Sequence, residues 1–264
     1  MTEAMRSGVP DVSVVMPCLN EVVTIGGCIE ECLNTFTSAN LRGEIVVSDN
    51  GSTDGSLEIA GSLGARVISV PLRGYGSALL AGIHACRAEV VVMGDSDGSY
   101  DFSQIPLFLA KLVEGNDLIV GDRFLGGIEP GAMPWLNRYV GNPLLTRIGN
   151  VLFHSDVRDF QCGIRAFRRE TILGLGLASP GMEFASEMIA KSAMAGLRIG
   201  QVPARLRKDG RNRPPHLRPW RDGWRNLRYM LCERMAQRPV ERSIYTTSPP
   251  YVSNEKSCRG NSRR

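Results

Sequence analysis

An α/β fold with a mostly parallel central sheet and helices on both faces follows from three features of the sequence. Apolar runs rich in β-branched residues recur at 12–17 (VSVVMP), 44–48 (EIVVS), 65–70 (ARVISV), 89–94 (EVVVMG) and 117–121 (DLIVG). They are continuous rather than alternating, as strands buried on both faces must be. Between them, 22–36, 54–63, 76–87 and 103–114 read as helices. With 264 residues, 43% of them hydrophobic, the chain can fill one large core and is short for two.

In chain order, the first strand ends in Pro17-Cys18-Leu19-Asn20-Glu21, where Thr24 is placed to open a helix. The second ends in Ser48-Asp49-Asn50-Gly51-Ser52-Thr53-Asp54-Gly55, with Thr53 as the opening residue of the next helix. Taken singly, Asn20 and Thr53 read equally well as helix caps and Asn50-Gly51 as a turn. At strand ends, carboxylates such as Glu21 and Asp49 can also accept from ribose hydroxyls or base N–H groups. After strand three, Arg73-Gly74-Tyr75-Gly76 sets a cation on flexible backbone just before a helix N-terminus, which suits a phosphate. Strand four runs into Asp95-Ser96-Asp97. Two carboxylates one residue apart at a strand end can direct oxygens toward one hard cation, and that cation can neutralise a pyrophosphate. Ser103 is expected to open the following helix. Residues 122–165, rich in Gly, Pro and Arg, predict long loops over a site. A helix at 183–195 and a strand at 198–204 complete the domain.

Charge changes sign along the chain: residues 1–197 carry 14 Lys plus Arg against 22 Asp plus Glu, and residues 198–264 carry 17 against 5. The basic end is expected to meet something anionic: phosphate, nucleic acid or lipid headgroups. Seven cysteines without a two-residue spacing predict a reducing, cytoplasmic setting. The first eleven residues read as flexible and lack the apolar core of a secretory leader. No run approaches the roughly 18 apolar residues of a membrane span.

Within 218–235, Trp220, Trp224, Leu227 and Leu231 fall on one helical stripe flanked by Arg221, Arg225 and Arg228. That pattern predicts an amphipathic helix lying on an anionic membrane surface; a helix packed on the domain with its arginines in solvent is the alternative. Residues 236–264 read as a disordered polar tail. Two rival functions are set aside here. Strand-then-Asp-x-Asp-Gly-Ser is also the nucleophile motif of haloacid-dehalogenase-type phosphatases, but there it follows the first strand, and three strands precede it in this chain. Tryptophans among arginines occur in single-strand nucleic-acid binders, yet the body of this chain is acidic, so no nucleic-acid partner is expected.

The ordered motifs P-x-L-N-E, D-N-G-S-T-D-G, R-G-Y-G-S-A, D-S-D, G-D-R-F and D-F-Q-C-G-I-R resemble those of the family 2 glycosyltransferases. Among these the chain is most similar to dolichyl-phosphate and polyprenyl-phosphate mannosyl- and glucosyltransferases, over roughly residues 12–230. The resemblance implies a GT-A-type fold over 12–217, a GDP- or UDP-sugar donor, Mg²⁺ or Mn²⁺, inversion at the sugar carbon, and a lipid phosphate acceptor reached from the cytoplasmic face of a membrane. It leaves room for a separate membrane-protein anchor. By motif, it implies that Pro17, Asn20, Glu21 and Asp49 line the nucleoside pocket, that Arg73 meets phosphate, and that Asp95 and Asp97 hold nucleotide and metal. Arg123 and Arg138 would meet the acceptor phosphate. Gln161, Arg165 and Glu187 would lie in or under the sugar and acceptor pocket, and Arg207, Gly210 and Arg213 in a segment that closes on the donor phosphates. The chain departs from the family pattern at Asn50, where a second acid is usual, at Asn142, where relatives commonly have Ser, and at Arg213, where Lys is usual.

Overall fold

The computed structural model describes residues 8–211 and 219–236. Arg213, the side chain of Trp220 and the tail beyond 236 lie outside them. A seven-stranded sheet runs in the order β3-β2-β1-β4-β6-β5-β7. Its strands are β1 (Val12–Cys18), β2 (Gly43–Asp49), β3 (Arg66–Ser69), β4 (Val90–Met93), β5 (Leu118–Asp122), β6 (Arg165–Arg168) and β7 (Ile199–Pro203). All pairings are parallel except those of β6, which runs antiparallel to β4 and β5. The six expected strands are present.

Helices α1 (Ile25–Ser38), α2 (Ser56–Ser62), α3 (Tyr75–Ala85) and α4 (Ile105–Val113) connect the parallel strands. The chain steps outward from β1 to β2 to β3 and then returns past β1 to β4. With right-handed crossovers, α1 and α2 therefore cover one face and α3 the other. Between β1 and β4 the winding reverses, and the carboxyl ends of these two strands part to leave a crevice. The last ladder pair there is Val15 with Met93. Two residues further on each strand stand Pro17 and Asp95.

The expected caps are corrected. Thr24 stands at the N-cap of α1, but its hydroxyl donates to the Ser96 carbonyl at 2.8 Å rather than capping. Helix α2 starts after Gly55 in the left-handed region (φ 93°), not at Thr53. Asp101, not Ser103, caps the turn before α4, accepting from the Ser103 amide.

The expectation of long loops over 122–165 is also overturned. This stretch holds the short α5 (Arg123–Gly126), a π-turn at Asn137–Gly141 and α6 (Asn142–Phe153), and the chain is helical continuously over 135–153. Helix α6 buries Thr146, Gly149 and Phe153 while Leu144 and Val151 face outward. It also sets Leu145, Ile148 and Leu152 against the core, so apolar residues stand on both its inner and its outer face. The short α7 (Arg169–Leu173) and then α8 (Phe184–Met194) follow β6, and α9 (Pro219–Ala236) closes the described chain. Helix α9 turns Asp222, Asn226 and Met230 inward.

Candidate active site

The crevice is built from three strand-end loops tied to one another. The Ser96 hydroxyl donates to the Pro17 carbonyl at 2.7 Å, joining the β4 loop to the β1 loop. Asn20, held at φ 58°, accepts from the Thr53 amide at 2.8 Å, joining β1 to β2. Between the two loops lies a cleft of about 350 Å³ lined by Asn20, Glu21, Thr53, Asp54 and Arg211. Asp49 stands beside Cys18 at the end of the β1–β2 ladder and accepts from the Gly51 and Ser52 amides. Each of its oxygens keeps a second lone pair.

The two aspartates of the β4 loop sit in contrasting surroundings. Asp95 accepts from the Tyr75 hydroxyl at 2.8 Å. Burial of its carboxyl, and then the charge of Asp97, push it up to about 7 against that hydrogen bond and the charges of Arg211 and Arg123. Asp97 accepts from the Ser99 amide through one oxygen and pairs with Arg211 through the other at 2.9 Å. The same guanidinium reaches Glu21 at 3.3 Å and Asp209 at 3.2 Å. Arg211 is carried there by a segment strapped across the aspartate loop, with the Arg207 amide on the Ser99 carbonyl and the Gly210 amide on the Asp97 carbonyl. A Cβ at Gly210 would meet the Thr24 methyl at 2.9 Å, so only glycine passes freely at this point. Arg211 is the site residue that the motif reading passed over. The available signal was its position directly after Gly210, in the segment that the resemblance had already set on the donor phosphates.

Several expected ligand residues turn out to hold the scaffold. Arg123 forms a buried, two-pronged ion pair with Asp159, at 2.6 and 2.8 Å, in place of a free cation. Arg165 is fully buried and donates to the carbonyls of Cys162, Ala185 and Phe160, so it lies beneath the pocket rather than in it. Glu187, expected at the chemistry, is buried and accepts from the Ala178 and Ser179 amides. It thereby fixes the 178–180 loop, whose Pro180 carbonyl accepts from the Gly76 and Ser77 amides. Those amides belong to the first turn of α3, which starts at Tyr75, so the phosphate expected there has no free amides at these two residues.

Gln161 donates to the Ser186 hydroxyl, which donates to Asn226, joining the loop to α8 and α9. Arg207 pairs with Glu31 at 2.9 Å and Asp101 at 2.7 Å. Asn50 donates to the carbonyls of Val70 and Leu72 and accepts from the Gly74 amide. A second acid could not make both donations, so Asn50 here braces the loop that carries Arg73. Arg73 is exposed, and Arg138, in the π-turn, lies 5.4 Å from the Tyr139 ring centroid.

The family profile described as Glycosyl transferase family 2 matches residues 13–174. This chain belongs to glycosyltransferase family 2. Among its relatives is the low-salt glycan biosynthesis hexosyltransferase Agl6 of Haloferax volcanii, 41% identical over 223 residues, which are 84% of this chain and 53% of Agl6. The chain thus spans about half the length of that relative. A dolichyl-phosphate hexose transferase of the same organism is 36% identical over 198 residues, 75% of this chain and 83% of the relative. Among solved structures, glucosyl-3-phosphoglycerate synthase from Mycobacterium tuberculosis, in complex with Mn²⁺, UDP and glucosyl-3-phosphoglycerate, superimposes with a TM-score of 0.65 at 28% identity, covering 88% of this chain and 82% of that one. The same synthase has been solved with Mg²⁺ and UDP. The fold is GT-A.

Two carboxylates one residue apart, one of them already holding a cationic side chain, fit a divalent metal. Among the described residues no cluster of three acidic, histidine or cysteine side chains completes such a site. A metal held by Asp95 and Asp97 would leave positions for phosphate oxygens and water, as is usual for Mg²⁺.

Proposed function

We propose that this chain moves a hexose, mannose or glucose, from a GDP- or UDP-sugar to a polyprenyl-type lipid phosphate with inversion at the sugar carbon. The observation that carries this reading is the Asp95–Asp97 loop at the β1/β4 switch point, opening beside a cleft lined by Asn20, Glu21, Thr53 and Asp54. The dolichyl-phosphate hexose transferase among its relatives supports the acceptor.

Asn20, Glu21 and Asp54 would border the nucleoside, with Asp49 at the neighbouring strand end. Asp95 and Asp97 would hold Mg²⁺ or Mn²⁺, which supplies charge neutralisation for the departing nucleoside diphosphate. Tyr75 keeps Asp95 oriented. Arg211 and the exposed Arg73 are the cations near enough to the loops to meet the diphosphate. A lipid phosphate oxygen is ionised at neutral pH and needs no strong general base. Arg138 would bind it, while Arg123, neutralised by Asp159, positions the loop between them.

The exposed Trp224 (66%) and Leu231 on α9 support contact of that helix with an anionic membrane on its cytoplasmic face. No described helix is long and apolar enough to cross a membrane. A second reading comes from the synthase neighbours, one of which is solved with phosphoglyceric acid, and takes the acceptor as a small phosphorylated acid. A donor screen with GDP-mannose, UDP-glucose and UDP-GlcNAc, offered in parallel a short polyprenyl phosphate and 3-phosphoglycerate, decides between them. Lipid-linked sugar supports the first reading, water-soluble product the second, and neither product from any donor refutes both.

A further inference from the structure

We propose that the outward face of the helical segment 135–151 docks on an anionic lipid bilayer; the proposal rests on the lipid phosphate reading above and assigns it a surface. A helix on a folded domain ordinarily buries its apolar stripe. This one packs Leu145, Ile148, Leu152 and Phe153 on the core and carries a second apolar row on its outer face. Leu136, Val140, Leu144, Arg147 and Val151 recur at helical spacing, and all five are exposed, Val151 to 69%. Trp135, 69% exposed, and Tyr139 flank the stripe at its start, with ring centroids 5.8 Å apart.

The occupant is argued from charge and from the kind of side chain. The body through residue 197 carries 22 acids, yet 130–155 contains none, while it holds Arg138 and Arg147. Apolar groups in a row, aromatics with polar tips at one end and arginines beside them are the make-up of a helix lying in a headgroup layer. Next to the stripe, a groove of about 530 Å³ between α6 and the turn after it is lined by Arg147, Val151 and Arg158, with Asp156 as its one acid. Two cations against one anion leave room there for a headgroup phosphate.

The face is coupled to the site. On its inner side, α6 carries Thr146, which accepts from the Phe160 amide, and Gly149, where a Cβ would meet the Phe160 ring at 2.6 Å. The next residue back from Phe160 is Asp159, which grips Arg123. Arg138 sits within the lipid-facing segment itself, in the π-turn. A membrane meeting this face would bring headgroup-level phosphates to Arg138 without requiring a lipid to leave the bilayer.

The test uses the full chain and phosphatidylcholine vesicles with and without about 30% phosphatidylglycerol. In a Trp220→Phe, Trp224→Phe background, the emission of Trp135 should shift to the blue with anionic vesicles only, and less so in high salt. A Trp135→Ser, Leu144→Ser, Val151→Ser variant should lose vesicle partitioning by about tenfold or more while its melting temperature and UDP binding stay as in wild type. All three positions are exposed, so the fold should tolerate them, and UDP binding reports that it has. Partitioning equal to wild type overturns the proposal. So does a wild-type dimer that the triple variant dissolves without vesicles, which would assign the face to a second copy. Because partitioning needs no turnover, vesicle binding without any lipid-linked sugar would refute the acceptor and leave the docking face standing.

Discussion

Arg211 occupies, with a side-chain cation, the carboxylate that a metal would need, so replacing it should tighten metal binding in the absence of nucleotide. Its side chain is only 11% exposed and its closest acid is Asp97 at 2.9 Å. Opening one such charge-assisted contact costs about 1.5–3 kcal/mol. At about 1.4 kcal/mol per decade, Arg211→Gln should bind Mn²⁺ about tenfold to a hundredfold more tightly than wild type when no nucleotide is present. UDP offers the displaced guanidinium a new anionic partner, so the wild-type protein recovers most of this penalty once UDP is bound. Linkage requires the same factor in both directions: Mn²⁺ should raise UDP affinity strongly in wild type and much less in the variant. Free Mn²⁺ measured by electron paramagnetic resonance, with and without UDP, reads the first quantity, and calorimetric UDP titrations read the second. The variant should also melt lower without metal, because Glu21 and Asp97 lose their shared cation, and Mn²⁺ should restore it. Equal Mn²⁺ affinity in the two proteins, with equal coupling to UDP, would show that Arg211 does not rest on Asp97 in solution.

Asp97→Asn should keep the fold by circular dichroism and lose most transfer, since the amide keeps the shape and drops the charge; full activity, or full wild-type activity in EDTA, refutes the metal role. Asn50→Asp should set a carboxylate against the Val70 and Leu72 carbonyls, lowering stability by about 2–4 kcal/mol in urea titration and raising the donor KM; an unchanged midpoint refutes the bracing role. Burial alone would raise the Glu187 carboxyl, but hydrogen bonds from Lys191 and from the Ser179 and Ala178 amides outweigh it and hold the group below its ordinary 4.5. A depressed carboxyl stabilises the fold above its unfolded value, and that contribution disappears as pH falls through the folded one. Glu187→Gln should therefore cost about 1–3 kcal/mol at pH 7, with the gap to wild type closing below about pH 4.5; a gap independent of pH refutes this account. Arg138→Ala should raise the KM for lipid phosphate and leave donor binding nearly unchanged, whereas equal loss of donor affinity would move Arg138 to the nucleotide site.

The parallel half of the fold was legible because its strands are buried on both faces and announce themselves as unbroken apolar runs: VSVVMP and EIVVS became β1 and β2 within a residue or two. Strand β6 was not legible. It is four residues long, RAFR, contains no β-branched residue, and exists because β4 and β5 leave a gap that an antiparallel strand fills. Helix α6 escaped for a different reason: Gly141, Pro143 and Gly149 read as loop residues, although Leu145, Ile148, Leu152 and Phe153 give the helix an inward apolar face. The strand-end acids were legible as a set because doubly wound sheets gather ligands at one edge.

The arginines were the hardest to read, and sorting them changes the charge balance of the site. A motif records that a cation recurs near a strand end, but not whether its fork meets ligand or backbone. Arg165 is spent on three carbonyls, Arg123 on Asp159, and Arg207 on Glu31 and Asp101. Each is buried or half-buried beside partners that were separate in sequence by as many as 176 positions, a relation no local pattern contains. Of the described candidates, that leaves Arg73 and Arg138 without an ion pair to any described residue, and Arg211 paired to the acids of the cleft itself. The two anionic substrates proposed above would then meet three available cations placed on three different segments. In the proposed function the donor diphosphate would lie on the side of Arg73 and Arg211, where the aspartate loop opens. Arg138 stands apart, on the segment whose outer face is apolar, and so the cation best placed for the acceptor is the one that a bilayer would cover.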